Sequence, residues 1–153
     1  MRGGVRLGID VGKARIGVAR SDHHGMLSTP VATVPRDDGS VPEIVRIAAE
    51  VEAMELIVGL PLSLSGERTA STQDAIAFAA QLAGATGLPV RLVDERLSTV
   101  SAQRVLHTSG RSARQSRPVI DQVAATIILQ HALDFELSSG NPPGELLDPD
   151  EGL

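Results

Sequence analysis

The sequence predicts an α/β fold: a five-stranded mixed sheet, opened by an antiparallel β1-β2-β3 meander, continued by parallel strands and flanked by helices. Three observations carry that expectation. The first 34 residues hold three apolar segments separated by turn signals. After Ser40, stretches with helical spacing alternate with short Val-, Leu- and Ile-rich runs. The chain has 153 residues and 42% hydrophobic content, enough to bury one core without covalent staples.

Residues 5–10 alternate Val5, Leu7 and Ile9 and read as a strand. Gly12-Lys13-Ala14 reads as a turn, and Arg15 to Arg20 as the returning strand. Asp22-His23-His24-Gly25 is a second turn, followed by a strand from Leu27 to Val34 that Pro30 marks as an edge. Pro42 to Met54 has helical spacing, with proline near the start, where its missing N–H costs nothing. Glu55 to Leu60 is a buried strand. Ser63 to Gly66 is a polar loop, and Thr69 to Thr86 a helix closed by Gly87 and Pro89. Val90 to Val93 is the fifth strand, Thr99 to Thr108 a helix ended by Gly110, and 111–117 a mobile basic linker. A last helix covers Pro118 to Leu137. Domain organisation follows: one domain over 1–137, and an acidic tail over 138–153 whose glycines, prolines and four acids predict disorder.

Composition narrows the function. There are no cysteines, which excludes disulfides, thiolate metal sites and a cysteine nucleophile, and fits a reducing cytoplasm. No apolar run approaches a membrane span, so a soluble cytoplasmic protein with no membrane partner is expected. The net charge of −5 is unevenly spread. All 14 Lys and Arg residues lie in 1–117 against 12 acids, while 118–153 holds seven acids and no Lys or Arg. Between Glu95 and Asp121 stand Arg96, Arg104, Arg111, Arg114 and Arg117 with no acid among them. Such a stretch serves either as a solvated face or as a contact for a polyanion.

Three carboxylates are the candidate chemistry. Asp10 and Glu95 each close an apolar strand, and Asp121 opens the last helix. In a sheet of this kind, sites form at the carboxyl ends of parallel strands, where Asp10, Gly59 to Gly66 and Asp94-Glu95 all lie. Taken singly, each has a plainer reading. Asp10-Val11-Gly12 fits a hairpin turn, and Asp121 fits a favourable charge at a helix start. In the loop, Ser63 or Ser65 and free backbone N–H groups could hold a phosphate, or the leucines could simply pack underneath. Asp94-Glu95 is harder to explain away: alternation turns one of the two inward, where a charge needs a partner. Together, three hard oxygen donors fit Mg²⁺ or Mn²⁺ and phosphodiester hydrolysis.

The blocks Leu7-Gly8-Ile9-Asp10-Val11-Gly12 with Ile16-Gly17-Val18-Ala19, Ile57-Val58-Gly59-Leu60-Pro61-Leu62, Asp94-Glu95-Arg96-Leu97-Ser98-Thr99, and Ile120-Asp121 with Ala124-Ala125 and Ile127-Ile128-Leu129 resemble the bacterial YqgF family, also called RuvX. The resemblance runs from about residue 6 to 137. It implies an RNase H-like fold and a nuclease acting in maturation of the 5′ end of pre-16S rRNA. Asp10, Glu95 and Asp121 match the family's acidic triad, with Asp94, Arg96, Ser98 and Thr99 in the same block. Ser63-Leu64-Ser65 departs from the Asn or Arg with a nearby Asp that many members carry.

The expected mechanism follows. Asp10, Glu95 and Asp121 hold Mg²⁺ or Mn²⁺, and Gly12, Lys13, Ser63, Ser65, Arg96, Ser98, Thr99, Arg104, Arg111, Arg114 and Arg117 contact the substrate strand. The preferred partner is pre-rRNA, with the ribosomal subunit a further one. Branched DNA cut by a Holliday junction resolvase, as monomer or homodimer, and a non-catalytic assembly factor are the alternatives. With no Trp, no Tyr and two Phe, recognition rests on shape and backbone rather than on aromatic stacking.

Overall fold

In a computed structural model, residues 1–95 and 113–147 are described, the stretch 113–121 by its backbone alone. The strands are β1 (Val5–Val11), β2 (Arg15–Ser21), β3 (Ser28–Pro35), β4 (Ala53–Leu60), β5 (Val90–Asp94) and β6 (Glu145–Leu146). The helices are α1 (Ser40–Glu50), α2 (Ala70–Thr86) and α3 (Ala113–Ser139). The sheet order is β3-β2-β1-β4-β5-β6. The first three strands form the antiparallel meander, β4 joins β1 in parallel, and β5 joins β4 in parallel.

Alternation sorts the strand residues onto two faces. Leu7, Ile9, Ile16, Val18, Leu56, Val58, Val90 and Leu92 enter one core with Ile44, Phe78 and Leu82 of α1 and α2. Ala19 and Ile57 enter the other with Ala125, Ile128, Leu129, Ala132 and Leu133 of α3. That second layer is thin because Gly8 lets α3 sit on β1: a Cβ at this position would be 2.7 Å from the Leu129 Cβ and 2.9 Å from the Ala125 carbonyl. Gln130 fixes the far side, accepting from the Ser28 N–H and donating to the Met26 carbonyl.

Four expectations change. The sheet has six strands, because the tail is ordered as far as Leu147 and adds β6 antiparallel to β5 (Arg91 opposite Leu146). Gly140 and Gly144, read as signs of disorder, are left-handed turns at φ 75° and 62° that bring it there. Residues 113–117 are the first turns of α3 rather than a mobile linker. Helix α1 starts and ends early: the Ser40 hydroxyl donates to the Pro35 carbonyl, and Glu52 at φ 55° stops the helix ahead of β4. The helix expected over Thr99 to Thr108 lies outside the described residues. Helix α2 forms as expected, with Thr69 and Thr72 in a reciprocal cap and Gly87 closing it. Among the described residues, no helix is long and apolar enough to cross a membrane.

Candidate active site

Since β1, β4 and β5 run parallel, their carboxyl ends share one rim of the sheet. On β1, Leu7 and Ile9 point to α1 and α2, which leaves Gly8 and Asp10 on the α3 side. On β5, Val93 packs against the α3 layer, and Glu95 follows it two residues later onto the same side. Glu95 is therefore the inward member of the acidic pair: it is 9% exposed, while Asp94 is exposed.

Asp10 and Glu95 meet over Gly59. A Cβ on Gly59 would collide with Glu95 Oε2 and stand 2.7 Å from the Ile128 Cδ1. Glycine here is what makes room for the carboxylate under α3. The role of Gly59 was not foreseen, although a glycine inside an apolar strand signals such a close approach. The Glu95 backbone N–H reaches back to the Leu60 carbonyl at 3.4 Å.

The electrostatics of Glu95 all run one way. Burial pushes its carboxyl up to about 8, and the charge of Asp10, the hydrogen bond between the two side chains and the charge of Asp94 add to the rise. Its Oε2 is buried with no hydrogen-bond partner. A group that is costly to ionise, and has an unmet oxygen, fits a cation-binding position. Among the described residues no third His, Asp or Glu joins the pair closely enough to complete a metal site. Asp121 is in α3, but its side chain lies outside the described residues.

The remaining candidates sort as follows. Gly12 closes the β1–β2 turn, donating to the Arg15 carbonyl at 2.9 Å and accepting from Arg36 at 2.8 Å; Lys13 is exposed beside it. Arg36 also grips Asp74 of α2 through two bonds of 3.0 and 2.8 Å and lies over the Phe78 ring. Ser63 and Ser65 turn inward on their own loop: their hydroxyls are 2.9 Å apart, and Ser63 Oγ accepts from the Glu67 N–H. The Ser63 and Gly66 N–H groups donate within the loop as well. Arg96, Ser98, Thr99, Arg104 and Arg111 lie outside the described residues, as do the side chains of Arg114 and Arg117.

Comparison with known proteins agrees with this architecture. A solved structure, "T. thermophilus RuvC in complex with Holliday junction substrate", superposes with a TM-score of 0.57, covering 91% of this chain and 99% of that one at 15% identity. A Thermus thermophilus RuvC structure gives 0.53 over 91% and 98%. At that identity the likeness is one of fold. Closer in sequence is a protein of Clavibacter michiganensis named "Putative pre-16S rRNA nuclease", 61% identical over 98% of both chains. One of the same name from Leifsonia xyli is 59% identical over 97% of both. The family described as "RuvX: Holliday junction resolvase" matches residues 4–135. On that match, and on those identities, the chain belongs to the RuvX family.

Proposed function

We propose that this chain is a divalent-metal-dependent nuclease of the cytoplasm that hydrolyses phosphodiester bonds in maturing the 5′ end of pre-16S rRNA. The observation that carries the chemistry is the Asp10–Glu95 pair, gathered under α3 at the carboxyl ends of β1 and β5 with an unsatisfied buried oxygen. The substrate class is supported by the names of the relatives, which match over nearly the whole chain. The family's own description, a resolvase, and the fold shared with RuvC support branched DNA as the second reading.

Asp10 and Glu95 would hold the ion, with Asp121 as third ligand. Position 121 stands one and two helical turns before Ala125 and Ile128, in the register of the stripe that packs on the sheet. A Mg²⁺ or Mn²⁺ ion, when bound, supplies a Lewis acid that polarises the phosphate and lowers the pKa of an attacking water. The protein's own part is positional. Gly59 fixes where the Glu95 carboxylate stands, and the β1–β2 turn, tied to α2 through Arg36 and Asp74, fixes where Asp10 ends. Burial and the charges of Asp10 and Asp94 make the ionised Glu95 costly on its own, so its carboxylate would favour a bound cation.

The test offers single-stranded RNA, structured RNA and a four-way DNA junction in parallel, each with Mg²⁺, Mn²⁺ or EDTA. Asp10→Asn and Asp121→Asn are expected to lose metal-dependent RNA cleavage by on the order of 10²–10³-fold. Paired cuts in the junction alone would move the assignment to a resolvase. Undiminished cleavage by Asp10→Asn would sink the mechanism.

A further inference from the structure

The loop after β4 has two readings in the sequence: serines and N–H groups that hold a phosphate, or leucines that pack underneath. Leu60 and Leu62 are half-buried, but Leu64 is 90% exposed, the highest value among the exposed large hydrophobic residues that are described, the others falling between 38% and 61%. Single exposed leucines are ordinary on protein surfaces. What sets this one apart is how it is held and where.

The loop is a closed finger. Leu62 and Arg68 pair as an antiparallel bridge, Ser63 donates to the Glu67 carbonyl at 2.9 Å, and Gly66 (φ 88°) donates to the Ser63 carbonyl at 2.8 Å. The Ser63 hydroxyl bonds both Ser65 and the Glu67 N–H. At its base the Thr72 hydroxyl donates to the Pro61 carbonyl, and Thr72 also belongs to the cap of α2. The serines hold the finger in shape and the leucine is presented at its tip. A preorganised apolar tip meets a partner with little ordering cost. The finger springs from Leu60, whose carbonyl receives the Glu95 N–H, so it rises from the same rim as the Asp10–Glu95 pair.

We propose that Leu64 is a wedge that inserts against an unstacked or deformable base step next to the scissile phosphate. The inference rests on the nuclease reading above and adds to it a preferred substrate shape: a loop, bulge or branch point rather than a regular duplex. Aliphatic side chains act this way where a protein unstacks a base step. The chain has no Trp or Tyr, Phe78 is buried, and the half-exposed Phe135 stands on α3 and not on the finger, so an aliphatic tip takes the part that an aromatic platform takes elsewhere.

The lack of tryptophan supplies the probe. In an Asp10→Asn background, Leu64→Trp places a single indole at the tip. Its emission is expected to be quenched on binding bulged RNA or a four-way junction and to change little with a fully paired duplex. In the same background, Leu64→Ser should weaken binding of the branched or bulged ligands about tenfold, the loss of a partly buried leucine, with an unchanged melting temperature. Binding seen by anisotropy of the labelled nucleic acid with a silent indole, or equal affinity in Leu64→Ser, overturns the wedge and leaves the nuclease reading standing. Quenching that follows protein concentration alone would assign the tip to a second copy and overturn it too. Failure of the wild-type protein to bind or cut any of these substrates removes both.

Discussion

The α3 side of the sheet buries carboxylates at both ends, and the two ends treat them in opposite ways. At the amino end, Glu55 and Glu136 are 1% and 3% exposed, yet each is surrounded by guanidinium groups. Arg2 bonds both of them, Arg6 bonds Glu136 at 3.0 Å, and Arg91 bonds Glu55 at 3.0 Å. At the carboxyl end, Glu95 faces Asp10 and lies near Asp94. Burial raises the Glu136 carboxyl, but the hydrogen bonds and charge of Arg2, with the charge of Arg6, outweigh it and bring the group down to about 2. Burial raises Glu95 too, and its acidic neighbours carry it on to about 8. One cluster spends its charges on holding the fold together. The other sets acid against acid among the described residues, the arrangement that the proposed ion would answer.

The largest expected effect comes from breaking the satisfied end. Glu136→Gln strands the buried Arg6 guanidinium and should lower stability by about 3–5 kcal/mol in urea denaturation. Because the folded value lies below the ordinary 4.5, this glutamate's contribution is present above that pH and fades as pH falls toward 2. The variant should therefore show a flatter acid limb.

Glu95→Gln tests the other end and carries the opposite sign. A carboxyl raised from 4.5 to about 8 contributes stability that is intact below 4.5 and is lost as pH rises through 8. The glutamine variant should escape that loss and be more stable than wild type at pH 8 by up to about 4 kcal/mol, with no gain at pH 4.5. Adding Mg²⁺ or Mn²⁺ at pH 8 should raise the wild-type melting temperature and leave that of Glu95→Gln unmoved. A variant less stable than wild type across the whole range would mean that Glu95 is paired like Glu136. The smallest effect belongs to the exposed triad Arg46, Glu43 and Glu50, where bonds as short as 2.6 Å are screened by water. Arg46→Ala should not measurably shift the thermal midpoint, which separates burial from mere proximity as the source of the contrast.

The strand-end positions of Asp10 and of the Asp94-Glu95 pair are legible in the sequence because they depend on local rules. Alternation says that one of Asp94 and Glu95 turns inward, and the packing of Val93 against α3 makes it Glu95. The meander and the αβ alternation were legible for the same reason. The amino-end cluster was not, because its partners are far apart in the chain: 53 residues between Arg2 and Glu55, and 130 between Arg6 and Glu136. The tail failed similarly. Its composition is that of a disordered segment, and its order depends on β5 offering an open edge beyond Arg91 and Leu92. Leu64 fits neither reading of its loop, because the two serine hydroxyls bond one another and the leucine is exposed rather than packed underneath.

The long span between Arg6 and Glu136 also bears on how the molecule is made. Arg6 sits in β1 and leaves the ribosome 130 residues ahead of Glu136, which lies near the end of α3. Until it arrives, the α3 side of an assembled sheet stays uncovered, and the Arg6 guanidinium lacks the Glu136 carboxylate with which it is buried. Closure of the α3 side is thus deferred until α3 is complete, and that helix acts as a late latch. Nascent chains stalled short of residue 136 should accordingly be cut by protease within β1, where released full-length chains resist.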